Sequence, residues 1–296
     1  MKKIAVALVA LMSLTAAVEA QTPKDLLAAM LVKWNKPTEP FRMIGNVYYV
    51  GTDGLASYLI TSLQGHVLVD TVMPDATSQI KANIEKLGFK VTDIKYLLNT
   101  HAHIDHTGGL AEMKAASGAQ LVAGEADKPL LEGGYYPGAR EETALNFPPV
   151  KVDRTVREGN KVTIGDVTLI ARETPGHSPG CTSWEFSVKD GDATRSALIF
   201  CSGTVALNRL VPNPTYPGIV TDYRKTFARA PDMKVEVLLA PHPEMYRMAE
   251  KRAKLAEGGP NPFVNPGEFN AYAATLEKAF DDALAKQTAA AQEKKG

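Results

Sequence analysis

The stretch Asn99-Thr100-His101-Ala102-His103-Ile104-Asp105-His106-Thr107-Gly108-Gly109 constrains this chain more than any other feature. Three of the six histidines in 296 residues fall within six positions, with an aspartate among them. Imidazole and carboxylate are the usual ligands of zinc and similar first-row metals. A spacing of two sets His101 and His103 on one side of an extended segment. Asp105 and His106 fall on the following turn and point another way. A cluster facing two ways suggests two adjacent metals. Gly108 and Gly109 give the chain room to bend into a helix directly behind them.

Two more histidines fit the same site. His177 follows the expected strand Val167 to Glu173, in Thr174-Pro175-Gly176-His177-Ser178-Pro179-Gly180. His242 follows the expected strand Val235 to Ala240, in Pro241-His242-Pro243. Each lies just past the carboxyl end of a strand, and such ends converging on one sheet edge are where ligands bind in α/β proteins. His66, at the start of a β segment, is left over. Six ligands without a thiolate do not suggest a structural zinc, which usually sits in a closed tetrahedron containing cysteine. A metal pair with nitrogen and oxygen ligands and open positions can act on an electrophile.

The rest of the chain reads as a layered α/β body. With 33 Lys+Arg against 33 Asp+Glu the formal net charge is zero, which removes the electrostatic case for a nucleic-acid binder. Hydrophobic residues at 45% and charged residues at 22% are globular composition. A short helix is expected over Pro23 to Trp34, then a proline-marked linker from Lys36 to Pro40. β segments are expected at Met43 to Val50, Ser57 to Thr61 and His66 to Val69. Residues 76 to 87 carry Ile80, Ile84 and Leu87 at helical spacing, and Gly88 stops that helix. Asp93 to Thr100 and Ala119 to Ala123 read as strands around a helix at Ala111 to Ala116. Residues 124 to 149, rich in Gly, Pro, Glu and Tyr, read as a long loop, either functional or a surface insertion. Lys161 to Ile164 and Val167 to Glu173 are strands. A second irregular stretch runs from Val205 to Ile219, Asp222 to Arg229 is helical, and the chain is helical again from Pro266. The expectation is one domain over residues 21–296, with strand-rich halves at about 40–160 and 161–265 and a C-terminal helix.

Residues 1–20 read as a secretory signal peptide. Lys2 and Lys3 give the positive start, Ile4 to Val18 the apolar run, and Val18-Glu19-Ala20 the small residue at the cut. The run is shorter than the ~20 apolar residues of a membrane span, so no membrane anchor is expected. The Lys-Lys start looks bacterial, which points to the periplasm. Export changes the reading of the two cysteines. Cys181 and Cys201 flank two expected strands, Thr182 to Phe186 and Ala197 to Phe200, joined by the turn Lys189 to Asp192. A hairpin symmetric about residue 191 would set them face to face, and an oxidising compartment would allow a disulfide. Two buried free thiols are the alternative.

The Thr-His-Ala-His-Ile-Asp-His-Thr-Gly-Gly stretch, with Pro-Gly-His-Ser-Pro-Gly downstream and a late Pro-His, resembles the metallo-β-lactamase superfamily. The resemblance spans roughly residues 40 to 265. Val69-Asp70-Thr71 resembles that superfamily's early aspartate, which supports the site from behind. The implied fold is α/β, a four-layer αβ/βα sandwich with the metals at one edge. An Asp-His-His second site without cysteine resembles the third subclass of metallo-β-lactamases. It implies two zinc ions per chain, one held by His101, His103 and His177, the other by Asp105, His106 and His242. Much of the superfamily, including glyoxalase II, lactonases and phosphodiesterases, bridges both metals with an aspartate from a strand after the third histidine. Here the matching place reads Phe200-Cys201-Ser202-Gly203-Thr204, without a carboxylate. That favours a lactamase, with Ser202 as the serine often found there. Cys201 as a metal ligand, as in another subclass, is the competing assignment.

The activity implied by this resemblance is zinc-dependent β-lactam hydrolysis without a covalent intermediate. A bridging water of lowered pKa attacks the lactam carbonyl, the first zinc polarises the carbonyl oxygen, and Asp105 holds the hydroxide. Ser202 and Thr204 are candidates to bind the substrate carboxylate. Tyr135, Tyr136 and Leu207 to Leu210 are candidates to wall the groove. The expected partner is a small-molecule β-lactam, and the chain is expected to be a monomer. Two readings compete: another dinuclear hydrolase acting on a thioester, lactone or phosphodiester, and a periplasmic metal-binding protein.

Overall fold

A strand whose every residue is buried must be covered on both faces, and Gly65–Val69 is such a strand. The computed structural model describes residues 31–293 apart from Ala139 and Glu142. The proposed signal peptide and most of the expected helix from Pro23 lie outside the described residues, which begin in a helix that ends at Trp34. The first sheet runs in chain order through β1 (Phe41–Ile44), β2 (Val47–Tyr49), β3 (Tyr58–Ser62), β4 (Gly65–Val69), β5 (Ile94–Leu98), β6 (Gln120–Gly124) and β7 (Arg154–Val156). β1 to β4 pair antiparallel, and β4 to β7 pair parallel. The parallel crossovers carry α1 (Thr77–Lys86), α2 (Ile104–Thr107), α3 (Leu110–Ser117) and α4 (Lys128–Gly133).

The second sheet holds β8 (Lys161–Ile164), β9 (Val167–Glu173), β10 (Thr182–Asp190), β11 (Ala193–Ile199) and β12 (Val237–Leu239), in the order β12-β11-β10-β9-β8. α5 (Ile219–Arg229) precedes β12, and α6 (Met248–Glu257) and α7 (Glu268–Glu293) follow it. Among the described residues no helix is long and apolar enough to cross a membrane.

Side-chain alternation explains the layers. In β3 and β4, Tyr58, Ile60, Val67 and Val69 point into the core between the sheets, where they share one apolar cluster with Trp184, Phe186 and Leu198. Their alternates Leu59 and Leu68 join a second cluster with Ile80, Ile84, Leu110 and Met113 under the helices. The other outer layer is built by α5 and α7. Tyr223 and Phe227 lie four apart on α5, and Phe269, Ala273, Leu276 and Phe280 repeat every three or four residues on α7. The arrangement is helix, sheet, sheet, helix, as the four-layer expectation required.

Several local expectations are corrected. Met43 to Val50 is two strands, because Gly45 turns the chain at φ +51 and Phe41 comes to oppose Tyr49. Residues 124 to 149 are not all loop: α4 buries Leu130 and Leu131 and ends at Gly134 in the left-handed region. β7 and α6 lie where no element was expected, and α5 starts three residues before Asp222. The β10–β11 hairpin is centred between residues 191 and 192, since Trp184 opposes Ile199 and Asp190 opposes Ala193. The cysteines are therefore offset by one position, yet Cys181 and Cys201 form a disulfide beyond the paired ends, with Cα atoms 5.8 Å apart.

Candidate metal centre

Both sheets deliver their ligands to one edge. β5 ends at Leu98, and the chain then carries His101 and His103 before α2 lifts Asp105 and His106. β9 ends at Glu173 ahead of His177, and β12 ends at Leu239 ahead of His242. The glycines behind the cluster serve a different purpose from bending. Gly108 has ordinary helical φ/ψ, and Gly109 also lies in the right-handed region. A Cβ on Gly108 would fall 2.6 Å from the nitrogen of Pro74, and one on Gly109 2.7 Å from the carbonyl of Thr71. Close packing excludes a side chain at both.

Two triads result. Ligand atoms of His101, His103 and His177 lie within 4.8 Å of one another, as do those of Asp105, His106 and His242. The rings of His101 and His106, 4.4 Å apart, join the triads. Asp105 Oδ2 lies 3.1 Å from His106 Nε2 and 3.3 Å from His242 Nε2. Cys181 and Cys201 also lie near His101, but the disulfide occupies both sulfurs.

Burial sets the charge states. Desolvation, then the neighbouring imidazoles, holds His101 and His103 well below the ordinary histidine pKa, and burial brings His177 to about 4. Neutral imidazoles keep a lone pair for a metal. Burial works against ionising Asp105, yet the facing His106 and His242 hold its carboxyl well below the usual range. Burial likewise opposes charge on His106, and the adjacent Asp105 carboxylate outweighs it, so its pKa is raised. The buried Nε2 atoms of His101 and His103 have no hydrogen-bond partner among the described residues. Buried polar atoms without partners are costly. Five imidazoles and one carboxylate with spare nitrogens fit a pair of first-row divalent ions.

The ligands are oriented from behind. His177 Nδ1 donates to the Thr204 carbonyl at 2.7 Å, which leaves Nε2 as the lone-pair nitrogen. The same carbonyl accepts from the Tyr223 hydroxyl, and Asn208 Nδ2 donates to the His177 carbonyl. Asp70, in the left-handed region at φ +58, accepts from Thr100 N, Thr100 Oγ1 and Asn99 Nδ2, and burial pushes its carboxyl up to about 6. His106 Nδ1 lies 3.8 Å from it. Asp127 is buried between the loops of the first triad.

The remaining predicted residues divide. Tyr136 stacks on His103 with ring centres 4.3 Å apart. Tyr135 instead lies under Arg140 and packs into the helix-side core. Ser202 Oγ lies 3.2 Å from Thr204 Oγ1. Thr204 is engaged through its carbonyl and, at 3.3 Å, its hydroxyl with His177. Leu207 to Leu210 do not make a wall: Leu207 is exposed, Asn208 holds the His177 loop, and Leu210 is in the core. Trp34, from the segment before β1, lies with its ring 5.5 Å from His242. Tyr223 and Asp127 are not singled out by the sequence, and Asn208 enters it only within the Leu207 to Leu210 stretch. Only Asp127 carries a signal, an acidic residue just past the end of a parallel strand on the ligand edge.

A two-sheet α/β sandwich with paired His/Asp triads at one edge defines a dinuclear metal-binding hydrolase. The family model for the metallo-beta-lactamase superfamily matches residues 50–242, and the chain belongs to that superfamily. Among solved structures, BJP-1, a subclass B3 metallo-beta-lactamase of Bradyrhizobium japonicum, is 65% identical with a TM-score of 0.86, over 88% of this chain and 98% of that one. The FEZ-1 metallo-beta-lactamase from Legionella gormanii is 36% identical with a TM-score of 0.82, over 86% and 98%. The hydroxyacylglutathione hydrolase of Rhodospirillum rubrum is 33% identical over 132 residues, 45% of this chain and 41% of that protein. That of Methylobacterium nodulans is 29% identical over 163 residues, 54% and 52%. The chain spans about half the length of these curated relatives.

Proposed function

We propose that this protein is a zinc-dependent β-lactamase, exported to the periplasm after removal of residues 1–20 and acting as one monomeric domain from residue 21. The observation that carries the reading is the 65% identity to a subclass B3 enzyme across 98% of that enzyme's chain. The ligand set supports it: His101, His103 and His177 would hold one ion, and Asp105, His106 and His242 the other. When bound, a zinc pair supplies an activated water and a Lewis acid for a carbonyl. The chain's own groups do the rest. Thr204 fixes the His177 tautomer. Asp105, ionised throughout the working pH range, accepts a hydrogen bond from the attacking water at its carboxylate. Tyr136 covers one face of His103 and keeps solvent off it. Ser202 Oγ is the donor we assign to the substrate carboxylate. Because net charge is zero, attraction for an anionic substrate comes from the site and not from long-range steering.

Thioester hydrolysis is the second reading, favoured by the hydroxyacylglutathione hydrolases that match 132 and 163 residues. The stretch Phe200 to Thr204, which has Ser202 and no carboxylate where the superfamily resemblance implies a metal-bridging aspartate for a thioester hydrolase, counts for the lactamase. Zinc-loaded protein is assayed with nitrocefin, a carbapenem and S-lactoylglutathione. Turnover of the lactams is expected, and turnover of the thioester alone removes the lactamase reading. Edman sequencing of periplasmic protein should begin at Gln21.

A further inference from the structure

We propose that Asp127 is a positioning residue that clamps the two loops of the first triad in register. The inference rests on the triads binding metal and not on the choice of substrate. Asp127 ends the turn after β6 and is 1% exposed. Its Oδ2 accepts from the Ala102 amide at 2.9 Å and the Ser178 hydroxyl at 2.6 Å, and its Oδ1 accepts from the Gly180 amide at 2.7 Å. Ala102 sits between His101 and His103, and Ser178 follows His177. One carboxylate thus grips the chain beside all three ligands, from both halves of the sandwich.

The surroundings are shaped for this grip. A Cβ on Gly180 would lie 2.7 Å from Asp127 Cγ and 2.8 Å from its Cβ, so the loop reaches the carboxylate because residue 180 has no side chain. No cation pairs with Asp127 among the described residues. Burial without a counter-ion costs stability, and burial pushes its carboxyl up to about 6. An uncharged residue would cost the fold less, so core stability alone does not account for an aspartate here. Two other bonds cross nearby, Thr182 N to Thr100 O at 2.8 Å and Trp184 Nε1 to Asn99 O at 3.2 Å. Both lie on the strand side of the loops, and although Asn208 and Thr204 also hold His177, Asp127 alone among the described residues hydrogen-bonds both residues 101–103 and residues 177–180. Among the described residues its side chain makes no hydrogen bond to the second triad, so its effect is selective.

The test is competitive zinc titration of the metal-stripped full chain against a chromophoric chelator. His242→Ala isolates the first site, and His177→Ala isolates the second. Added to the former, Asp127→Ala should weaken zinc binding about 10–100-fold, the range typical of groups that orient ligands. Added to the latter, it should leave binding unchanged. Asp127→Asn, which keeps one acceptor, should fall between, and Ser178→Ala should show a smaller loss. Asp153→Ala is the control. Asp153 accepts from Leu121 N in the same half and pairs with Lys114, so its loss should lower stability without changing zinc affinity. Unchanged first-site affinity, or equal losses at both sites, overturns the proposal. Should Asp127→Ala fail to fold, Asp127→Asn and Ser178→Ala decide alone, and wild-type affinity in both overturns it. Wild-type protein that binds no zinc removes the metal reading and this inference with it, an outcome distinct from failure of the lactam assay.

Discussion

Breaking the Cys181–Cys201 bond should cost the fold several kilocalories and spare the site. The bond closes a sequence separation of 20 residues, the β10–β11 hairpin. In the chain-entropy account, a loop of that length restricts the unfolded chain by about 3 kcal/mol at 25 °C. Both cysteines are buried, at 1% and 0% exposure, so reduction leaves two buried thiols beside His101 and the Thr100 carbonyl and adds little exposed surface. The folded hairpin keeps its seven residue pairs from Trp184↔Ile199 to Asp190↔Ala193. The loss therefore falls mainly on the unfolded side. Guanidinium unfolding of metal-stripped protein, with and without a dithiol reductant, measures it. For a chain this size a slope of roughly 5 kcal/mol/M converts 3 kcal/mol into a midpoint drop of about 0.6 M. The Cys181→Ala/Cys201→Ala protein should fall at least as far, because it adds small cavities. Zinc stoichiometry should be unchanged in both, since Thr182 N still holds Thr100 O at 2.8 Å. Coincident oxidised and reduced curves would refute the entropic argument, and two free thiols titrating in denaturant before reduction would refute the bond itself.

Other perturbations probe other layers. Asp105→Asn removes the charge facing His106 and His242; lactam turnover should fall about 10²–10⁴-fold with the circular dichroism spectrum retained, and near-wild-type rates would exclude the second triad from the reaction. Phe280→Ala opens the packing under Tyr223, whose ring lies 4.9 Å away and whose hydroxyl holds Thr204; a loss of about 3–5 kcal/mol in urea unfolding is expected, and a loss under 1 kcal/mol would mean α7 is not part of that core. Asp127 gives a pH signature. Its folded carboxyl, raised to about 6 from 3.8, binds a proton more tightly than the unfolded one, so its contribution is complete below about pH 4 and lost as pH rises through 6. The stability of metal-stripped wild type relative to Asp127→Asn should fall by up to about 3 kcal/mol between pH 4 and 7, and parallel pH curves would contradict it.

What the sequence showed follows from where the information resides. The ligands were legible because metal chemistry restricts residue type and spacing, and His177 and His242 because each follows the carboxyl end of an expected strand. The layers were legible because the runs Tyr58-Leu59-Ile60 and Val67-Leu68-Val69 are apolar without alternation, which demands cover on both faces. Short elements were not: α4 is six residues, and α6 presents only Met248 and Lys251 as buried positions, so neither carries a readable period. Gly108 and Gly109 suggest a bend in the sequence because it shows a missing side chain and not the Pro74 and Thr71 atoms that exclude one. The support of the ligands was hidden for a related reason. Asp127 grips two amides and a serine, Asn208 grips a carbonyl, and Tyr223 grips another, at separations of 19 to 53 residues. Every residue has a backbone carbonyl and nearly every one an amide, so a side chain that reads them leaves no complementary partner in the sequence. Thr204 shows the consequence. Its hydroxyl suggested a substrate contact, whereas the atom that holds His177 at 2.7 Å is its carbonyl oxygen, which any residue at that position would supply.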